Sequence, residues 1–363
     1  MELVLELSLG RFRAGDAIER TRTSVPAQTL FGAILGATLE LLRGDGEDPD
    51  VVKEVLDALV GGLELTDAFP LDRGGEPLLP VPEHVRRELS DPERYGEVLR
   101  ELAGDDVDTG THGLVTEPER LPLSLFTDLC VEGSPTDPAT LKRLREWLSG
   151  EHDPVVGSGR LTHASVPRTG DDTTPFTLDY ASGRGIEGPT HVAFLRYDGK
   201  EPDYYDVEAL LRAVLRYLRD AGLGGARSRG AGEVLEAGLR EPEGEEKLLF
   251  SQRMRVEEGE PAITLSACAP EGDAEFYGRV ERRGLHYARV GPFVTNYRVP
   301  RHYLAATGSY FPEWPGAENL RFEVPEGLLP GFLRGDPMYR GGYELVVYGR
   351  GFPVRVRALG DGD

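Results

Sequence analysis

Val207-Glu-Ala-Leu210-Leu211-Arg212-Ala-Val214-Leu215-Arg216-Tyr-Leu218-Arg219-Asp-Ala221-Gly222-Leu-Gly224-Gly225-Ala-Arg227-Ser228-Arg229-Gly230-Ala-Gly232 is the stretch on which the reading of this chain turns. Val207, Leu210, Leu211, Val214, Leu215 and Leu218 recur at helical spacing, and Arg212, Arg216 and Arg219 fill the opposite face. This predicts an amphipathic helix over 206–221. Gly222 then reads as the helix C-cap. A cap does not require Gly224, Gly225, Gly230 and Gly232 as well. The loop is no Walker motif, since no Gly-Lys-Ser/Thr follows. It is no dinucleotide fingerprint either, because position 227 is Arg and the loop leaves a helix rather than entering one. Glycines let a backbone approach another chain closely. With Arg227 and Arg229 among them, the loop suits a phosphodiester held by N–H groups and guanidinium.

Working outward, Val234–Leu239 follows the loop as a strand, and strand patterns precede the helix at Leu161–Val166, Pro175–Tyr180 and His191–Tyr197. Residues 2–9 alternate with Leu3, Leu5, Leu7 and Leu9 on one face. Ser24 is placed as an N-cap, with Pro26 in the first turn of a helix whose stripe of Leu30, Ile34 and Leu41 ends near Gly44. Residues 45–154 are rich in Gly, Pro and acids, with short helical pieces near 50–60, 83–102 and 138–148. They read as an inserted, mainly helical or irregular subdomain. Without it the order is β-α-β-β-α-β, the ferredoxin-like (RRM-like) arrangement of an α+β fold. Residues 1–44 with 155–240 would form that first domain. Residues 240–247 would be a charged linker, and 241–363 a β-rich second domain.

A chain of 363 residues exceeds one ordinary core, and 39% apolar residues suffice for packed ones. No run reaches the apolar length of a membrane span, and the start carries acids where a signal peptide carries bases. A soluble, cytoplasmic protein is expected, without membrane contact. Cys130 and Cys268 lie far apart and form no CxxC pair, which argues against a disulfide framework. The net charge is −22. Of 41 bases only Lys53, Lys142, Lys200 and Lys247 are Lys, and Asn and Gln occur twice each. Such a composition fits a hot environment. A surface of that sign repels nucleic acid unless the bases cluster. They do cluster: at Arg11, Arg13, Arg20 and Arg22; at Arg212 to Arg229; and at Arg279, Arg282, Arg283, Arg289, Arg298 and Arg301. The last group is threaded with Tyr277, His286, Tyr287, Phe293 and Tyr297. Guanidinium for phosphate and rings for bases suit single-stranded RNA. The alternative is a strand pair whose rings pack inward and whose arginines bridge to acids.

Gly222–Gly232 followed by a strand resembles the glycine-rich loop of the RAMP superfamily of CRISPR-associated proteins. Ser24-Val-Pro-Ala-Gln-Thr-Leu30-Phe-Gly32 resembles the first-helix motif of that superfamily. Leu65-Thr-Asp-Ala-Phe-Pro70, Leu79-Pro-Val-Pro82, Thr162-His163-Ala-Ser165-Val-Pro-Arg168-Thr-Gly170, Ala306-Thr-Gly308-Ser-Tyr-Phe311 and Pro337-Met-Tyr339-Arg-Gly-Gly-Tyr343 are similar to segments of the type III-A (Csm) subunit that caps the 5′ handle of CRISPR RNA. The resemblance implies two ferredoxin-like domains and a place beside other Csm subunits on CRISPR RNA. Ser24 and the loop at 224–232 would lie along the guide, and the hairpin around 163–180 would be a thumb. Arg20, His163, Arg168, Gly224, Gly225, Arg227, Ser228, Arg229, Gly230 and Gly232 are the expected contacts, with Arg282, Arg283 and Tyr287 extending the track. The repeating backbone subunit of these complexes usually carries Lys in the first-helix motif, where Phe31 and Ala33 stand here, and a catalytic Asp in a longer preceding loop.

In the short stretch between the first strand and Ser24 only Asp16 is available as that Asp, to ligate a metal for RNA cleavage. It reads better as a solvated turn aspartate beside Arg11 or Arg13. No catalytic role is therefore expected, with an endoribonuclease as the alternative and an assembly protein without RNA contact as a third reading. No cofactor is required. His84, His112, Cys130 and His152 fall in the insertion and offer a candidate structural zinc site at irregular spacing.

Overall fold

The computed structural model describes residues 1–13, 22–90, 120–132, 138–149, 154–165, 174–183, 185–224, 231–284, 287–290 and 293–356. The first part of the chain forms β1 (Glu2–Leu9), β2 (Arg11–Phe12), α1 (Ala27–Gly44), α2 (Pro49–Gly62), β3 (Leu63–Leu65), β4 (Phe69–Pro70), β5 (Leu78–Pro80), α3 (Glu83–Ser90) and β6 (Arg120–Pro122). Next come α4 (Leu123–Thr127), which runs into a π-helical turn, and α5 (Pro138–Ser149). The hairpin β7 (Gly157–Ser165) and β8 (Thr174–Ser182) precedes β9 (His191–Tyr197), α6 (Val207–Ala221) and β10 (Val234–Arg240). The remainder opens with α7 (Glu245–Met254), followed by the short strands β11 (Ala262–Thr264), β12 (Val280–Arg283), β13 (Tyr287–Val290), β14 (Phe293–Arg298) and β15 (His302–Ala305). It closes with β16 (Tyr310–Phe311), β17 (Leu320–Val324), β18 (Tyr343–Val347) and β19 (Pro353–Arg355).

The chain is a mixed α and β protein built on small antiparallel sheets. The main sheet runs β10-β1-β9-β3, with β4 also paired to β9. Leu3, Leu5 and Leu7 of β1 and Ala193 and Leu195 of β9 face α1, α2 and α6, where they meet Leu30, Ile34, Val52, Leu59, Leu211 and Val214. The opposite face is covered too. Val4, Val192 and Phe194 pack against Phe69, Phe126, Leu249, Phe250, Ile263 and Phe352. Burial on both faces explains why His191–Tyr197 lacks the polar alternation of a half-exposed strand.

The sheet's second strand is not the one the sequence suggests. Residues 157–165 and 174–182 pair with each other and with β2, in a sheet of their own. The strand that pairs with β9 at the end of the main sheet is β3, which lies inside the expected insertion 45–154. Residues 49–65 contribute α2 and β3 to the first core. The expected linker 240–247 is also structured. α7 begins at Glu245, and Glu246 takes the Arg240 guanidinium at 2.6 and 2.7 Å while Glu6 takes its Nε at 2.6 Å.

Two further contacts tie the C-terminal half to the sheet and its helices. Glu64 in β3 is buried and accepts Arg253 Nε at 2.9 Å, Arg196 Nη1 at 3.2 Å and Arg350 Nη2 at 3.4 Å. At the end of α1, Arg43 reaches the Asp336 carboxylate at 2.8 Å and the Tyr339 hydroxyl at 3.1 Å. Among the described residues no helix is long and apolar enough to cross a membrane.

Candidate nucleic-acid interface

Residues 11–13 are the point where the candidate elements meet. β2 pairs Arg11 with Ser182 and Phe12 with Ala181, joining the base of the β7–β8 hairpin to the end of β1. The Arg11 carbonyl accepts the Gly232 N–H at 2.7 Å and the Glu233 N–H at 3.2 Å. Leu223 donates its N–H to the Gly232 carbonyl at 2.8 Å, closing the foot of the glycine loop. Gly224 stands at φ +80°, and a Cβ there would lie 3.2 Å from the Arg13 carbonyl oxygen. An L side chain is strained at that φ and crowded at that distance. Gly224 and Gly232 therefore have a reason within the fold, whatever they also contact. Gly222 caps α6, with its N–H on the Leu218 carbonyl at 2.8 Å and φ at +78°. The Arg11 guanidinium lies over the Tyr180 ring, 5.0 Å from its centroid, a cation–π contact with the hairpin.

The turn into α1 lies beside this foot. Ser24 is half-buried and does not cap the helix; the cap position is Pro26, which has no side chain for the task. The first helical N–H, of Ala27, goes instead to Asp67 Oδ1 at 2.9 Å. Val25 exchanges backbone hydrogen bonds with Ala68. Asp67 Oδ2 accepts the Thr307 hydroxyl at 2.8 Å, so one buried carboxylate joins the helix start to the C-terminal half. Burial pushes the Asp67 carboxyl up to about 6, against the Ala27 and Thr307 hydrogen bonds that favour its charge; Glu281 adds to the rise and Arg22 opposes it. His191, fully buried, donates Nε2–H to the Thr23 carbonyl at 2.7 Å and takes the Thr190 hydroxyl at Nδ1, 2.9 Å away. Its ring stands edge-on to Phe12 at 5.1 Å. Burial lowers the imidazole to about 4, the Thr23 hydrogen bond working against the shift and the Arg120 charge with it. The ring is neutral at physiological pH.

The β12–β15 ribbon flanks the turn. Glu281 takes Arg22 on Oε1 at 2.7 Å and Arg283 on Oε2. Arg283 is thus neutralised within the fold and mostly buried, unlike the exposed track residue expected of it. Arg282 faces outward, opposite the exposed Tyr303 in register. Arg212 of α6 is also engaged, by Glu208 at 2.7 Å and the Leu239 carbonyl at 3.1 Å. Backbone pairing sets His163 opposite Phe176 and Tyr287 opposite Arg298. The ribbon carrying Tyr287 contributes to a separate small core around Ala288, Val299, Val324 and Tyr339. Asp16, Arg20, Arg168, Gly225, Arg227, Ser228, Arg229 and Gly230 lie outside the described residues.

No family model matches the chain. The CRISPR system protein Csm4 of Thermococcus onnurineus is 26% identical over 337 residues, covering 91% of both chains. The similarity to that Csm4 runs over nearly the whole chain. Its fold agrees with that of a chain in the Csm1–Csm4 cassette solved with cA4, at a TM-score of 0.53 and 20% identity over 99% of both chains. It agrees likewise with a chain in the Csm3–Csm4 subcomplex of a type III-A CRISPR-Cas interference complex, at 0.52 and 12% over 98% of this chain and 99% of the other.

Several quoted motifs meet in the fold. Leu65–Pro70 supplies Asp67, and Ala306–Phe311 supplies Thr307. Gly308 stands at φ +87° beside Pro80, where a Cβ would lie 3.3 Å from the Pro80 side chain. The residues that reasoning from sequence missed are Asp67, His191 and Glu281. The signal for the first two was present: an acid and an imidazole set in apolar runs are buried polar groups that require partners. Of the zinc candidates, His84 is buried 4.8 Å from the Tyr310 ring, and Cys130 sits in the apolar core under the main sheet. Among the described residues no three His, Cys, Asp or Glu side chains are grouped to hold a metal, and His112 and His152 lie outside those residues.

Proposed function

We propose that the chain is a non-catalytic, RNA-binding structural subunit of a type III-A CRISPR interference complex, positioned at the 5′ handle of CRISPR RNA. In this reading it docks against subunits homologous to those crystallised with Csm4, Csm1 and Csm3. The single observation that carries the reading is the clamp at residues 11–13. It sets the feet of a loop bearing Arg227 and Arg229 against the base of a long hairpin and close to the turn into α1. A polyanion could follow these three elements in one path, with the loop's N–H groups and guanidinium on phosphate. The order β10-β1-β9-β3, with α1 and α6 on one face, supports a ferredoxin-like first domain. The β-rich half from residue 241 would be the second domain, with the segment from about residue 71 to 154 inserted between β4 and the hairpin.

Binding of a fluorescein-labelled, repeat-derived single-stranded RNA, measured by anisotropy over a series of KCl concentrations, tests the reading. Affinity should fall steeply with salt. Replacing Arg227 and Arg229 together by Ala should flatten the log–log slope by about 1.4, roughly 0.7 for each lost phosphate contact on a single strand. An unchanged slope would remove the loop from the RNA path. Absence of binding at low salt would leave an assembly role without RNA contact.

A further inference from the structure

Glu281 is shared by two arginines with unequal access to solvent. Arg22, whose side chain is 42% exposed, meets Oε1 at 2.7 Å. Arg283, 13% exposed, meets Oε2 from two residues along the same strand. The carboxylate itself is 11% exposed, so water screens it weakly. A phosphate reaching Arg22 therefore approaches an anion that already occupies its place. Releasing Arg22 would not strand a buried charge, because Arg283 would still compensate Glu281 from the protein side. A carboxylate with only one partner would resist release strongly, since a buried charge left unpaired is costly.

We propose that Glu281 is an exchangeable counter-ion that sets the specificity of the Arg22 position. A phosphodiester displaces it from Arg22, and Arg283 serves as the backstop that makes the exchange inexpensive. The inference rests on the RNA-binding reading above and adds a role for residues that do not belong to the glycine loop. In the unliganded protein the carboxylate discharges Arg22, so a stray polyanion gains little there. A strand held in register by the loop and hairpin supplies its phosphate at high effective concentration and wins the exchange. Glu281 thus raises the ratio of guide binding to indiscriminate polyanion binding.

Anisotropy titrations of the full chain with single-stranded RNA, and with single-stranded DNA of the same sequence, test this in wild type, Glu281→Gln, Arg22→Ala and the double variant. Glu281→Gln keeps an acceptor for the guanidinium and removes the charge. It should tighten RNA binding about threefold to tenfold and DNA binding by at least as much, narrowing their ratio. The same substitution in the Arg22→Ala background should change neither. Arg283→Ala should weaken RNA binding even though its side chain faces inward, because Glu281 would then hold Arg22 without a backstop. Unchanged affinity in Glu281→Gln, or an equal gain with and without Arg22, overturns the proposal while leaving the RNA-binding reading intact. No binding by wild type at low salt would defeat both, and the wild-type titration decides that first.

Discussion

Thr307 donates its hydroxyl to Asp67 at 2.8 Å, and through that carboxylate a residue near the end of the chain holds the first turn of α1. The arrangement is a helix cap supplied from outside the helix, whose Ala27 N–H would otherwise be one of its orphan donors. Asp67→Ala would leave both the Ala27 N–H and the Thr307 hydroxyl buried without this acceptor, and should cost about 1–3 kcal/mol in urea unfolding at pH 7.5. Asp67→Asn keeps an oxygen for Ala27 and can donate to Thr307. It should be neutral or stabilising at that pH, since it removes a carboxylate held charged against its burial. A loss with Asn as large as with Ala would show that charge, and not hydrogen bonding, holds the turn.

The Asp67 and His191 shifts act on stability with opposite signs. Asp67, raised from 3.8 to about 6, binds more proton in the folded state between those values, so its contribution to stability declines as pH rises through that window and is level above it. His191, lowered from 6.5 to about 4, binds less proton in the folded state, so its contribution is lost as pH falls from about 6.5 towards 4. Between about pH 4 and 6 the two trends oppose each other. In Asp67→Asn the His191 trend should stand alone, so the stability of the variant relative to wild type should fall by about 1.4 kcal/mol per unit of acidification there. A relative stability independent of pH in that window would mean that Asp67 is not raised.

Glu64 collects Arg253, Arg196 and Arg350 between the main sheet and the C-terminal half. Removing the common acceptor takes the paired carboxylate from the mostly buried Arg253 and leaves Arg196 and Arg350 to share Asp198, at 2.8 and 3.9 Å, whereas removing one arginine leaves the Glu64 carboxylate compensated. Glu64→Gln should therefore cost about 3 kcal/mol and Arg253→Ala distinctly less. The two variants can be ranked by their denaturation midpoints in urea. The reverse ranking would assign the contact's value to Arg253 packing rather than to the shared charge.

The long amphipathic helix, the hairpin strands and β9 were legible because their periodicity or length stood clear of the background. β3 was not. It is three residues long, wholly buried, and follows directly on α2, so the alternation of Leu63-Glu64-Leu65 is too brief to stand out. The strand pattern at 161–166 was stronger locally, yet tertiary pairing sent it to another sheet. The charged run at 240–247 concealed a helix start because its acids satisfy partners: Glu246 neutralises Arg240 and accepts the Glu243 N–H at 2.9 Å. Ser24 had the chemistry of a cap, but Asp67, forty positions beyond Ala27, reaches that donor instead. The basic clusters were visible as composition, and the acid that discharges Arg22 and Arg283 lay within one of them without a local pattern to mark it.

Two glycine substitutions should move stability in opposite directions and separate conformational need from propensity. Gly36 lies within α1, and an added Cβ there meets nothing within 4 Å. Gly36→Ala should stabilise the fold by about 0.5–1 kcal/mol, the ordinary gain of Ala over Gly inside a helix. Gly224→Ala forces an L side chain into a positive φ and against the Arg13 carbonyl, and should cost at least about 1–2 kcal/mol. Because the same glycine seats the foot of the basic loop on residues 11–13, its replacement should also weaken RNA binding, while Gly36→Ala leaves that binding as it was. If Gly224→Ala lowered the urea midpoint but left RNA affinity unchanged, the loop would bind from its tip alone, without help from the clamp at its foot.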